Sequence, residues 1–97
     1  MSTVLFDTNE LIDICRENDV AKLEVFGSTA RGEANMNSDI DLLIEFSKRK
    51  SLLTLVSLER KMSAVLGRKV DLLTEAAISP YLREQINSDR RVIYEAR

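Results

Sequence analysis

The segment from Asp39 to Phe46 constrains the fold more than any other part of the sequence. Its odd side begins with two aspartates, and its even positions are all apolar: Ile40, Leu42, Ile44 and Phe46. An alternation of period two is typical of a half-buried β-strand, whose successive side chains point to opposite faces of the sheet. The segment therefore predicts a strand with one face in the core and the other, carrying Asp39 and Asp41, available for chemistry.

Three segments have the signatures of helices, which combine helical spacing of apolar residues with capping residues at the ends. The predicted helices cover residues 8–18, 52–66 and 80–88. A capping box that begins at Asp7 precedes the first, in which Cys15 is expected to be a small core residue. The second follows Ser51 and ends at Gly67. Its expected buried residues are Leu55, Leu58, Met62 and Val65.

Two further strands are predicted, over residues 22–26 and 69–74. The first ends at Gly27 and Ser28, and a short helical turn over residues 29–31 and a polar turn over residues 33–38 follow it. The tail at residues 92–94 fits a last strand, a helical turn or a segment that faces a partner, and the pattern does not choose among them.

Length and composition exclude several classes of protein. The chain has 97 residues, which predicts a single domain over residues 1–97. Lys and Arg number 14 against 16 Asp and Glu, so the charge does not predict a polyanionic partner. With one cysteine and no histidine, an internal disulfide is impossible and any metal must be bound by oxygen. No apolar run is long enough for a membrane span or a leader, which predicts a cytoplasmic protein.

Three acidic residues are the first part of a candidate site. Asp39 and Asp41 share one face of their strand, with Cα atoms about 6 to 7 Å apart. Asp71 lies in the matching phase of another predicted strand. Mg²⁺ prefers oxygen ligands, and two-metal sites hold their ions about 3.5 to 4 Å apart. Because like charges oppose one another's ionisation unless a cation is present, we predict that Asp39, Asp41 and Asp71 are metal ligands and catalytic residues.

The second part of the candidate site is the turn at Gly27 and Ser28. Glycine lets a ligand approach the backbone closely, and exposed N–H groups at the start of a helical turn attract phosphate. The Ser28 hydroxyl adds a donor, and Arg31 can bring its guanidinium to the same phosphates. Gly27, Ser28 and Arg31 are therefore predicted to bind the triphosphate of a nucleotide, and together with the acidic face they predict nucleotidyl transfer.

The sequence resembles the nucleotidyltransferase superfamily at residues 26–34 and 38–43, with ten residues between Ser28 and Asp39. Within that superfamily it is most similar to the minimal nucleotidyltransferases, the MntA-type antitoxins that are paired with HEPN toxins. The resemblance implies an α/β (α+β) fold, a small mixed β-sheet with helices packed mainly on one face, as in polymerase beta-like enzymes. It also implies two Mg²⁺ ions, ATP as the donor and transfer of AMP to a tyrosine of the partner toxin. The resemblance implies that Gly27 and Ser28 bind phosphate and that Asp39 and Asp41 bind the metals. Asp71 would complete the site as a base-like third carboxylate.

Three functions stay open at this point. The first is a Mg²⁺-dependent protein adenylyltransferase that acts as antitoxin to a HEPN-type toxin, with which it would form a hetero-oligomer. The second is a non-catalytic antitoxin that neutralises the toxin by binding alone. The third is a catalytic subunit that transfers a nucleotide to a small molecule, with a helical partner supplying the acceptor pocket. We expect neither a membrane nor direct binding to nucleic acid in any of them.

Overall fold

The computed structural model describes residues 8–30 and 39–96. Within these ranges, one sheet in the order β3-β2-β1-β4 is formed by the strands Val20–Phe26 (β1), Ile40–Phe46 (β2), Val70–Thr74 (β3) and Arg91–Glu95 (β4). β1 is antiparallel to β2 and β4, whereas β2 and β3 are parallel. The helices are Asn9–Glu17 (α1), Gly27–Ala30 (α2), Leu52–Leu66 (α3) and Pro80–Asp89 (α4), with a 3-10 turn at Glu75–Ala77. This mixed sheet with helices confirms the predicted α/β class.

The two faces of the sheet carry separate cores, because successive strand residues point to opposite sides. The larger core contains Ile40, Leu42 and Ile44 of β2, as predicted, and α1 and α3 cover it. Its most buried members include Cys15, and burial raises the pKa of that thiol to about 12. The smaller core, on the other face, consists of Phe26, Leu43, Ile78 and Ile86, with α4 above it. Helices thus lie mainly on one face of the sheet.

The ends of α3 and α4 agree with their capping residues. Ser51 Oγ accepts a hydrogen bond from the Thr54 N–H at 3.2 Å, and Gly67 adopts a left-handed conformation with φ of 66° after the last turn of α3. Ser79 caps α4, and Pro80 is its first residue. The capping box at Asp7 and the polar turn over residues 33–38 lie outside the described residues.

The buried side of α3 differs from the prediction at its end. Leu58 and Met62 are buried, but Val65 is 36 % exposed, so its assignment to the core is wrong. Residues four apart form one ridge of a helix. The ridge through Leu58 and Met62 therefore continues to Leu66, which packs against the larger core.

Side chains of α3 fix the edge strand β3. The Leu72 N–H donates to Glu59 Oε2 at 2.9 Å, and the Val70 N–H donates to Ser63 Oγ at 3.0 Å. These bonds satisfy backbone groups that an edge strand would otherwise leave open. The strand that carries Asp71 is therefore held both by β2 and by α3.

The tail forms a strand, one of the three possibilities that the sequence left open. β4 pairs with β1 and has a register shift opposite Leu23 and Glu24. In the part of the chain that the structure describes, no helix is both long and apolar enough to cross a membrane.

Candidate active site

Asp41 stands at the centre of a row of residues that crosses three strands. It lies opposite Phe26 on β1 and opposite Asp71 on β3. Residues paired in this way share a face of the sheet, here the face with the smaller core. Asp39 directly precedes β2, two residues before Asp41. The sheet therefore brings the three predicted acids to the same end of one face.

Lys69 lies between two of these acids. Its Nζ is 3.7 Å from Asp39 Oδ2 and 3.9 Å from Asp71 Oδ1. Because its side chain is 71 % exposed, these ion pairs contribute little to stability. They show instead that the two carboxylates are close enough to share one positive charge. The sequence pattern did not single out Lys69, although this residue precedes Asp71 by the same two-residue spacing that separates Asp39 from Asp41.

Gly27 brings the backbone up against the Asp41 carboxylate, at the point where β1 ends and α2 begins. Its φ is 71°, a left-handed conformation that favours glycine. A Cβ at this position would lie 2.5 Å from Asp41 Oδ2. Only a residue without a side chain leaves room for that carboxylate. The structure thus shows a different requirement for glycine here, room for the Asp41 carboxylate, and the predicted binding of phosphate by Gly27 stays a prediction.

The structure describes only the backbone of Ser28 among the other two predicted phosphate-binding residues, Ser28 and Arg31. The backbone of Ser28 belongs to α2. Its side chain lies outside what the structure describes, and so does Arg31. Their contribution to phosphate binding stays a prediction.

The donor atoms at this end of the sheet fit Mg²⁺ in their chemistry. Carboxylate oxygens are its preferred protein ligands, and Mg²⁺ is usually bound by one or two carboxylates together with substrate phosphates. The Lys69 ammonium already occupies a position where Asp39 and Asp71 stabilise a cation. Across residues 8–30 and 39–96, no three acidic or cysteine side chains converge as a metal site. The acids thus suit a metal that a nucleotide helps to bind, and their role as three joint ligands stays a prediction.

A cleft of about 330 Å³ separates Asp41 from α4. The sheet side contributes Phe26, Gly27 and Asp41, and α4 contributes Leu82, Gln85, Ile86 and Asp89. The α4 residues have the spacing of one helix face, which is also the pattern of any amphipathic helix. The sequence therefore predicted the helix without assigning these side chains to a site.

Arg90 ties the end of α4 to the sheet. Its Nε donates to Glu24 Oε2 at 2.9 Å, and its Nη2 donates to Glu24 Oε1 and, at 2.7 Å, to Glu75 Oε1. The Glu24 side chain is only 6 % exposed, so Arg90 is its main compensating charge. The hydrogen bond to Glu24 raises the pKa of the Arg90 guanidinium. This link positions the helix that forms one wall of the cleft.

Comparison with known sequences places most of the chain in one family. A model described as the nucleotidyltransferase domain matches residues 8–93. A protein of Methanocaldococcus jannaschii is 44 % identical over 77 residues, which cover 79 % of this chain and 83 % of that protein. Protein adenylyltransferase MntA of Thermococcus cleftensis is 37 % identical over 75 residues, which cover 77 % of this chain and 74 % of MntA.

Comparison with solved structures agrees with this result at the level of the fold. A crystal structure of a toxin–antitoxin with AMP-PNP contains a chain that matches this one with a TM-score of 0.79. The match covers 94 % of this chain and 75 % of that chain, at 24 % identity. At this identity the likeness concerns the architecture, and it confirms the small mixed sheet and the arrangement of its helices.

Proposed function

Since the chain belongs to the nucleotidyltransferase domain family, we propose that it transfers AMP from ATP to a tyrosine hydroxyl of a HEPN-type toxin and acts as the antitoxin of that toxin. The observation that carries the proposal is the position of Asp41, between the Gly27 backbone on one side and Asp71 on the other. Two comparisons support it further. The relative from Thermococcus cleftensis is named a protein adenylyltransferase, and the similar fold with AMP-PNP belongs to a toxin–antitoxin.

The two sides of Asp41 suit different substrates. Gly27 brings the β1–α2 turn up against Asp41, so the triphosphate of an ATP whose Mg²⁺ is held by Asp41 would lie beside this turn. Asp39 and Asp41 would hold Mg²⁺, which supplies neutralisation of phosphate charge when bound. Asp71, on the far side of Asp41, is left to receive the acceptor hydroxyl.

The reaction forms one bond and breaks one. The acceptor oxygen attacks the α-phosphorus of ATP, and the bond from that phosphorus to the pyrophosphate oxygen breaks. Asp71 accepts the proton of the attacking hydroxyl as general base. Positioning the two substrates on either side of Asp41 supplies much of the rate, because phosphoryl transfer needs little covalent help from the protein.

A protein acceptor fits the open character of this end of the sheet. The side chains of Asp39 and Asp71 are 46 % and 38 % exposed. This open end of the sheet can therefore receive a tyrosine that projects from the surface of another protein.

The test uses labelled ATP, Mg²⁺ and the HEPN-type protein encoded beside this chain. We expect label on a tyrosine of the toxin with the wild-type chain, and a loss of about 100-fold in rate with Asp41→Asn, because the central acid is lost. Asp13→Asn is the matched control, since it makes the same charge change at an exposed position of α1. Absence of label with the wild type, or equal rates for Asp41→Asn and Asp13→Asn, would contradict the proposal.

A growth experiment separates catalysis from neutralisation by binding alone. Cells that express the toxin should be rescued by wild type and by Asp13→Asn, but not by the double change Asp39→Asn with Asp41→Asn at equal protein levels. Rescue by the double variant would favour a non-catalytic antitoxin.

A further inference from the structure

The cleft beside Asp41 lies on one side of that residue only. Its lining includes Phe26 and Gly27 but neither Asp39 nor Asp71. β1 and β3 flank β2 on opposite sides. The cleft is therefore on the side where the donor triphosphate is proposed to bind, away from the side where the acceptor loses its proton. A group bound in the cleft would belong to the donor.

The lining of the cleft suits a nucleoside better than a polyphosphate. Phe26, Leu82 and Ile86 provide apolar surfaces against which a base can pack. The volume of about 330 Å³ lies within the usual range of small-molecule sites. The base and ribose therefore fit inside, with the triphosphate at the Gly27 end.

Among the described residues that line this cleft, Gln85 has the neutral hydrogen-bonding side chain. It shares one face of α4 with Leu82 and Asp89, at spacings of three and four residues. Its backbone carbonyl accepts a hydrogen bond from Ser88 Oγ at 3.1 Å. Its side-chain amide makes no hydrogen bond within the described ranges, so both its donor and its acceptor are available to a ligand.

The chemistry of an amide discriminates between the two purines. Its NH2 group is a donor and its carbonyl oxygen, beside it, is an acceptor. The carbonyl oxygen can accept from the amino group of adenine while the NH2 group donates to the adjacent ring nitrogen. Guanine offers two acceptors at one edge and two neighbouring donors at another, and neither pair matches as well. We propose that the cleft between Asp41 and α4 binds the nucleoside of the donor and that Gln85 selects adenine over guanine. The inference rests on the proposed function, because that function places the triphosphate at Gly27.

The test compares the affinities of the full chain for AMP-PNP and GMP-PNP by calorimetry in the presence of Mg²⁺. Wild type should prefer AMP-PNP. Gln85→Glu replaces the donor by a second acceptor, which suits the two neighbouring donors of guanine. The ratio of the two affinities should therefore shift toward GMP-PNP by about tenfold or more. Repulsion by the added charge acts on both analogues and cancels in this ratio.

Asn87→Asp is the matched control for that variant. It makes the same change from amide to carboxylate on α4, outside the cleft, and keeps the oxygen that accepts a hydrogen bond from Arg90. Its affinity ratio should stay within about twofold of wild type. An unchanged ratio in Gln85→Glu, or a wild-type preference for GMP-PNP, overturns the assignment of Gln85.

A second variant tests the location of the nucleoside. Leu82→Trp adds bulk at a position of the cleft wall that is 53 % exposed. It should weaken AMP-PNP about tenfold. Binding of tripolyphosphate, which has no nucleoside, should not change. Unchanged AMP-PNP affinity, or equal weakening of both ligands, overturns the placement in the cleft.

The outcomes also separate this inference from the function on which it rests. If AMP-PNP binds with the expected preference but the toxin receives no label, the proposed transfer fails and the nucleoside site stands. If the toxin is labelled but Gln85→Glu leaves the ratio unchanged, the inference alone fails. If the wild-type chain binds neither analogue, both are overturned.

Discussion

Replacing Gly27 by alanine tests the contact on which the candidate site depends. The new Cβ would lie 2.5 Å from Asp41 Oδ2, closer than a carbon and an oxygen can approach without a bond. The residue would also keep a φ of 71°, which is unfavourable for alanine. Asp41 therefore has to turn away, or the β1–α2 turn has to move. Either change separates the carboxylate from the backbone that is proposed to bind phosphate.

Gly67 offers the control that separates the two costs of this substitution. Its φ is 66°, almost the same as that of Gly27, but a Cβ there would meet nothing within 4 Å. Gly67→Ala should therefore show the cost of the left-handed backbone alone, about 1 kcal/mol. Gly27→Ala should show the same cost plus that of displacing Asp41, a total of about 2 to 3 kcal/mol.

Two measurements on each variant decide the outcome. Urea titration gives the free energy of unfolding, and a loss of 1 kcal/mol lowers the midpoint by about 0.7 M when the slope is about 1.5 kcal/mol/M. The rate of AMP transfer to the toxin should fall about 100-fold in Gly27→Ala and stay near wild type in Gly67→Ala. The reasoning is refuted if folded Gly27→Ala retains full activity, or if both variants lose activity equally.

Two further predictions concern stability. Arg90→Leu leaves the buried Glu24 carboxylate without its main partner and should lower the free energy of unfolding by about 3 kcal/mol. The double variant Glu24→Leu with Arg90→Leu should regain most of this loss in urea titration, and an equal loss in the double variant would contradict the argument. Burial raises the pKa of the Cys15 thiol from 9.0 to about 12, so the stability that comes from the neutral thiol is complete below pH 9 and is lost as the pH rises toward 12. Relative to Cys15→Ala, wild type should therefore lose about 1 to 2 kcal/mol between pH about 8 and pH about 10.5, and parallel curves would count against a buried thiol.

The sequence predicted those parts of the fold that depend on local pattern. The apolar alternation of residues 40–46 placed β2 and its core face correctly, because a shift by one residue would have exposed every apolar side chain. The same rule put Asp71 in phase with Asp41, and the parallel pairing of β2 and β3 makes them direct neighbours. The capping residues Ser51 and Gly67 likewise predicted both ends of α3 correctly.

Features that depend on distant parts of the chain had no such signal. Glu24 and Arg90 are 66 residues apart, and neither residue differs in its local pattern from an ordinary surface charge. The cleft requires α4 to lie over Phe26, which the amphipathic pattern of that helix does not specify. The tail stayed ambiguous for a similar reason. Its short apolar run becomes a strand because the edge of β1 is there to pair with it.

The division of the sheet into two faces explains why stability and chemistry can be tested separately. The larger core under α1 and α3 is built from apolar side chains in the described part of the chain, whereas the candidate site lies on the other face, where α4 covers the sheet only in part. Asp39→Asn and Asp41→Asn change charge with little change of volume on that partly open face, and Lys69 keeps Asp71 as an ion-pair partner when Asp39 is replaced. These variants should therefore stay folded, so that a loss of transfer in them reflects the chemistry of the site. Glu24 is the exception, since it is the buried partner of Arg90, which follows α4, and its loss alone would disturb the link between this helix and the sheet.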